Sequence, residues 1–131
     1  MELWWKIPSC RSLVCLILSS QRFCQVIVFW KVIGTKFWNF NSLISLYLHG
    51  TQLTGQIPSE ICNLTNLGEL NLNGNQLTGS IPTCIGDLVN LRIFMTGSNQ
   101  LTGEIPVSIG QMTNLTLLYL FGNNLSGEIP E

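Results

Sequence analysis

The sequence predicts an α/β-type repeat solenoid, a short stack of about four 24-residue coils with a parallel β ladder on its concave face. Three observations predict it. Leu43, Leu67, Leu91 and Leu115 recur at an unbroken step of 24. Pro58, Pro82, Pro106 and Pro130 keep that step, as do Gly55, Gly79, Gly103 and Gly127. Within each unit the apolar residues at positions 4 and 6 alternate as in a short strand with one buried face. A coil of this kind cannot bury its apolar side alone, so coils stack and share one core. Such a stack presents a surface and carries no built-in catalytic cleft. Two segments follow: an apolar amino-terminal stretch, 1–40, and a repeat domain, 41–131, with units starting at 43, 67, 91 and 115.

Positions 1, 4, 6, 11, 15, 19 and 22 are apolar in nearly every unit. Unit one supplies Leu43, Leu46, Leu48, Leu53, Ile57, Ile61 and Leu64. Unit two supplies Leu67, Leu70, Leu72, Leu77, Ile81, Ile85 and Leu88. Stacked coils pair their strands in parallel, roughly 4.8 Å apart. Glycine at position 13 suits a turn with positive φ, and proline at position 16 fixes φ where a short helical turn begins. Asn75, Asn99 and Asn123 share position 9. A buried amide there bonds the backbone of its own loop and of the next coil, forming a ladder. Thr54, Thr78, Thr102 and Ser126 form a hydroxyl column at position 12, expected to do the same on the adjacent turn. Thr96 replaces leucine at position 6, which predicts a weaker core layer in unit three.

These residues resemble a known family. The unit LGELNLNGNQLTGSIPTCIGDLVN resembles the plant-specific leucine-rich repeat, with its hallmark L-x-x-L-x-L-x-x-N-x-L-T/S-G-x-I-P. The copies read NQLTGSIP, NQLTGEIP and NNLSGEIP, and the first, TQLTGQIP, carries Thr51 in place of asparagine. The resemblance spans 43–131 and implies the ectodomain of a leucine-rich repeat receptor-like kinase or receptor-like protein. It implies a protein or peptide ligand, or a co-receptor, held on the concave face at the cell surface, in a plasma-membrane-associated, extracellular setting. A polygalacturonase-inhibitor-like enzyme inhibitor is the alternative within the same family. A truncated gene product without independent function is the third reading.

The amino-terminal segment departs from the family, which brackets its repeats with a cap bearing paired cysteines. Phe29, Ile33, Phe37 and Phe40 fall in phase with positions 11, 15, 19 and 22, as in a degenerate half-coil. Lys6 and Arg11 precede the apolar run Leu13–Leu18, which has the outline of a signal peptide but is cut short by Gln21 and Arg22. The run Val26–Trp30 is separated from Val32–Ile33 by Lys31, so neither reaches the roughly 18 apolar residues of a membrane span. Membrane association is therefore expected only through segments outside this chain or through a signal-like amino terminus. Without a working signal the setting is intracellular. The last unit stops at its position 17, Glu131, with no closing turn, the pattern expected of a fragment.

Positions 3, 5 and 7 of each strand are expected to face outward, and position 8 is mostly glycine. The binding face then comprises Tyr47, His49, Glu69, Asn71, Asn73, Ile93, Met95, Leu117, Tyr119 and Phe121, with Ser45 and Gly97 completing the columns. Aromatic side chains beside small residues are the usual anchors of interfaces. The opposing reading is that Ile93, Leu117 and Phe121 pack against a further coil. Sequons for N-glycosylation occur at Asn63, Asn114 and Asn124. Register places Asn63 with Asp87 and Gln111, and Asn124 with Gln52, Gln76 and Gln100, columns expected to face solvent. Asn114 joins Asn66 and Asn90 in a column better read as structural.

Five cysteines, Cys10, Cys15, Cys24, Cys62 and Cys84, leave at least one thiol unpaired or bonded to another chain. Cys62 and Cys84 lie in successive coils at positions 20 and 18. That two-residue offset leaves bridge geometry open, and two buried or half-buried thiols are the default expectation. No spacing suggests a zinc site. The single histidine, His49, has Glu69 of the adjacent coil as its nearest acid on the face, far short of a catalytic triad. No phosphate loop or kinase signature occurs. The net charge of -1 gives no basic field for nucleic acid. The sequence thus points away from an enzyme, a cofactor and a metal, and toward a recognition surface.

Overall fold

The structure is a computed structural model and describes residues 43–130. The expectations placed on 1–40, whether signal-like or cap, and on Cys10, Cys15 and Cys24 lie outside the described residues. Each coil contributes two strands. They are β1 (Ser45–Tyr47) and β2 (Thr54–Gln56), β3 (Glu69–Asn71) and β4 (Gln76–Thr78), β5 (Ile93–Met95) and β6 (Thr102–Glu104), and β7 (Leu117–Tyr119) and β8 (Asn124–Ser126). The expected ladder is present: β1, β3, β5 and β7 form one four-stranded parallel sheet in that order. Its register is a full repeat, so Leu46, Leu70, Phe94 and Leu118 lie in line.

The apolar columns of the first three coils are buried almost throughout. Leu46, Leu70, Leu72, Leu77, Ile85, Leu88, Leu91 and Phe94 have no exposed surface. The third coil exchanges the usual Leu/Leu pair of positions 4 and 6 for Phe94 and Thr96, both fully buried. The larger ring makes up part of the volume that Thr96 gives up, which eases the exchange, since cores tolerate best the changes that come nearest to conserving volume. The polar atom is not compensated. Thr96 Oγ1 is buried with no hydrogen-bond partner, which gives the expected weak layer a physical cause.

The amide ladder forms, but each asparagine reaches back to the preceding coil rather than on to the next. Asn75 Oδ1 accepts from the backbone N–H groups of Thr51 at 3.1 Å and Leu53 at 3.0 Å. Its Nδ2 donates to Leu48 O at 2.9 Å in the previous coil and to Leu72 O at 2.8 Å in its own. Asn99 repeats the pattern one coil on, accepting from Leu77 N and donating to Leu72 O and Thr96 O. In the first coil, Thr51 Oγ1 takes over one of these tasks by donating to Leu48 O at 2.7 Å.

The glycines of position 13 adopt the expected left-handed backbone, with φ between 72° and 82°. The residue that follows proline opens a single 3-10 turn in three coils, Ser59–Asn63, Thr83–Asp87 and Val107–Gln111. Each proline stands one residue ahead of its turn in extended backbone, and its carbonyl accepts the first turn bond, as Pro82 O does from Ile85 N at 3.0 Å.

Two expectations need correction. The hydroxyl column of position 12 does not bond the adjacent turn: Thr54, Thr78, Thr102 and Ser126 are all exposed. Within that column one weak bond remains, Thr102 Oγ1 to Gly79 O at 3.5 Å. The cause is a second pair of ladders, β2 with β4 and β6 with β8, which the sequence reading treated as turn. Strand alternation sends Leu53, Leu77 and Leu101 inward and the hydroxyls out.

The second correction concerns Cys62 and Cys84, which form a disulfide with their Cα atoms 5.9 Å apart. Both lie in 3-10 turns, where the rise is about 2 Å per residue rather than the roughly 3.3 Å of a strand. A two-residue offset there is short enough to bridge. The bond staples the first coil to the second.

Candidate recognition face

Parallel register turns the outward positions of the main ladder into continuous columns. Ser45, Glu69, Ile93 and Leu117 form the first, and Tyr47, Asn71, Met95 and Tyr119 the second. Bonds beyond the strands, Gly50 N to Asn73 O and Gly74 N to Gly97 O, carry the register on to His49, Asn73, Gly97 and Phe121. The structure therefore brings the expected face together in one plane of strands. His49 aligns with Asn73, whereas Glu69 aligns with Ser45, whose hydroxyl donates to it at 3.4 Å. The acid and the histidine are thus separated by four residues of strand.

Polarity is sorted by coil. Coil two shows a carboxylate and two amides, Glu69, Asn71 and Asn73, all half-buried. Both amides are fixed by their oxygens. Asn71 Oδ1 accepts from Asn73 N at 3.1 Å, and Asn73 Oδ1 accepts from Gly97 N at 2.6 Å. Coils three and four are apolar. Ile93 and Met95 are half-buried, and Leu117, Tyr119 and Phe121 are exposed. The Tyr119 and Phe121 rings meet edge to face with centroids 4.6 Å apart.

That aromatic pair leans back over Gly97. A Cβ at Gly97 would come within 3.0 Å of Tyr119 Cδ1 and 3.1 Å of Phe121 Cδ1 and Cε1. The rings fill the space left by the missing side chain, yet Tyr119 stays 38% exposed and Phe121 58%. Gly97 also leaves its amide open to Asn73. Sequence reasoning saw a small residue in the column and missed both roles; the signal was the step of 24 that sets Asn73 beside it.

The sequon asparagines Asn63, Asn114 and Asn124 are all exposed, the first closing a 3-10 turn and the last opening β8; what sets Asn114 apart is its bonded side chain. Asn114 Nδ2 donates to Val89 O at 2.8 Å, repeating the Asn90 bond to Thr65 O at 2.9 Å. Among the described residues no cluster of three or more His, Cys, Asp or Glu is placed to hold a metal ion. No helix among them is long and apolar enough to cross a membrane.

The sequence pattern of the Leucine Rich Repeat family matches residues 42–64, 66–88 and 114–131. The chain belongs to the leucine-rich repeat family. Its third repeat, with Phe94, Thr96 and Gly97, falls between the matched stretches. Among solved structures this leucine-rich repeat chain is similar to one in the BIR3–SERK2 complex from Arabidopsis thaliana. The TM-score is 0.66 with 47% identity, over 68% of this chain and 48% of that one. It is equally similar to the plant peptide hormone receptor RGFR1 in complex with RGF2, with TM-score 0.66 and 47% identity over 69% of this chain and 14% of the other. A plant ice-binding protein matches with TM-score 0.66 and 36% identity, over 68% of this chain and 29% of that one. The chain thus spans less than half the length of each. No curated protein sequence matches it.

Proposed function

We propose that this leucine-rich repeat chain is a non-catalytic recognition module of the kind found in plant receptor ectodomains, and that it binds a protein or peptide partner on the concave face of the main ladder. The observation that carries the reading is the face itself. Tyr47, Asn71, Met95 and Tyr119 stand in one in-register column. An exposed aromatic pair sits at its fourth coil, and exposed aromatics with packed bases are what interfaces use as anchors. The similar structures include a receptor with a peptide hormone bound and a complex between two proteins. The Cys62–Cys84 bond supports an oxidising, extracellular setting, because cytosolic thiols are kept reduced. Exposed Asn63 and Asn124 would accept glycans in that setting.

A displayed peptide library panned on the chain tests the reading. Wild type is expected to enrich binders, and Tyr119→Ala to weaken them at least about tenfold, as for an aromatic anchor. The same variant should lose about 2–3 kcal/mol of stability, the edge-to-face contact plus the ring area packed over Gly97, and should remain folded. If nothing is enriched, or if Tyr119→Ala unfolds the chain, the aromatic pair belongs to the core and the reading fails.

A further inference from the structure

The strongest unexplained feature is the polar stripe of coil two. Asn71 and Asn73 have each committed the side-chain oxygen to a backbone N–H, at 3.1 and 2.6 Å. An amide nitrogen carries two donor hydrogens. Among the described residues neither Nδ2 meets an acceptor, yet both side chains are half-buried and held in place. Asn71 ends β3 and Asn73 follows two residues on, a backbone rise of roughly 6.6 Å at strand spacing. The carbonyls along one edge of an extended peptide recur every two residues, at that same rise. A helix offers no such row, because its carbonyls are used internally. Two donors carried by residues at this spacing match the main chain of an extended segment.

Glu69 stands two residues earlier on the same strand. Its Oε2 takes the Ser45 hydroxyl at 3.4 Å, which leaves Oε1 for a cation. Glu69 is the one carboxylate among the main-ladder strands, so a basic side chain seated there gains a local, short-range attraction. On the other side of the stripe, Ile93 and Met95 lie in register with Glu69 and Asn71, backed by Tyr119 and Phe121.

We infer that the partner of this face is an extended peptide segment in which basic and apolar side chains alternate, its main-chain carbonyls held by Asn71 and Asn73, a Lys or Arg at Glu69, and its apolar side chains over coils three and four. The inference rests on the recognition reading above and narrows it to one chemical class.

The test uses the full chain and three synthetic octapeptides, alternating Lys–Leu, Glu–Leu and Lys–Ser, with binding read by fluorescence anisotropy. Lys–Leu is expected to bind, with the other two at least roughly tenfold weaker. Glu69→Gln should cost Lys–Leu several-fold in affinity and flatten its dependence on salt. Asn71→Asp and Asn73→Asp keep the oxygen that bonds the backbone but lose the donor. Their added negative charge would by itself strengthen Lys–Leu binding, so a several-fold weakening isolates the lost hydrogen bond. Tighter binding by both variants overturns the main-chain contact. Equal binding of Glu–Leu, still lost in Tyr119→Ala, overturns the charge preference and leaves the recognition module standing. If no octapeptide binds while library panning yields ligands, the inference fails alone; if panning is also empty, both fail.

Discussion

Replacing Asn99 by alanine isolates the amide ladder, because the three asparagines do the same chemistry at different depths. Asn99 Oδ1 accepts from Leu77 N at 3.0 Å, and Nδ2 donates to Leu72 O at 3.0 Å and Thr96 O at 2.9 Å. Leu72, Leu77 and Thr96 are fully buried. Asn99→Ala removes the acceptor that satisfies the Leu77 N–H, and an orphaned buried donor costs about 1–3 kcal/mol. The two carbonyls lose less. Leu72 O still accepts from Asn75 Nδ2 at 2.8 Å, and Thr96 O from Asn123 Nδ2 at 2.9 Å. Each therefore forfeits one net hydrogen bond, about 0.5–1 kcal/mol. The total is about 2–5 kcal/mol. A repeat domain of this size has a midpoint that shifts roughly 4–8 °C per kcal/mol, so the fall should be at least about 8 °C. Asn123 makes the corresponding bonds, to Leu101 N, Thr96 O and Leu120 O, but is only half-buried. Water can replace its amide, and Asn123→Ala should cost about 1 kcal/mol. Thermal unfolding of both variants by far-ultraviolet circular dichroism checks the pair. Equal losses, or an Asn99→Ala midpoint within about 3 °C of wild type, would refute the claim that buried amides hold the coils together.

Two further substitutions probe the same stack. Thr96→Val keeps the shape and removes a buried hydroxyl without a partner, so the thermal midpoint should rise, by about 1 kcal/mol in stability. A fall would show that the hydroxyl is satisfied. The Cys62→Ser/Cys84→Ser double variant opens a loop of sequence separation 22, worth about 3 kcal/mol by the chain-entropy relation. Urea unfolding should show that loss, dithiothreitol should reproduce it in wild type, and the double variant should not respond to dithiothreitol. An unchanged urea midpoint would mean the first two coils are held by packing alone.

The coil period, the inward columns and the amide ladder were legible because each follows from one residue type recurring at one step. A repeat reports every contact made between equivalent positions. Contacts between non-equivalent positions leave no such trace. The Cys62–Cys84 bond joins position 20 to position 18, and its reach depended on a 3-10 rise that apolar spacing does not reveal. The second ladders were hidden because Gly55, Gly79, Gly103 and Gly127 read as turn, yet a left-handed glycine can lie within a paired strand segment as well as in a loop. On the face, the columns were right and the details were not. The lean of Tyr119 and Phe121 over Gly97, and the tethered oxygens of Asn71 and Asn73, arise from single departures from the repeat, which averaging over units removes.

Those departures also divide the labour along the stack. In a solenoid each coil is stabilised by its own contacts and those to its neighbours, so coils differ in how readily they open. Coil two is bonded on both sides, stapled by Cys62–Cys84 and roofed by two buried asparagines. On the proposed recognition reading, the polar stripe lies on this doubly bonded coil, where Asn71 and Asn73 already have their oxygens tied to backbone N–H groups. A partner held there would meet donors that need little ordering first, and preorganised groups are the ones that cost a complex least.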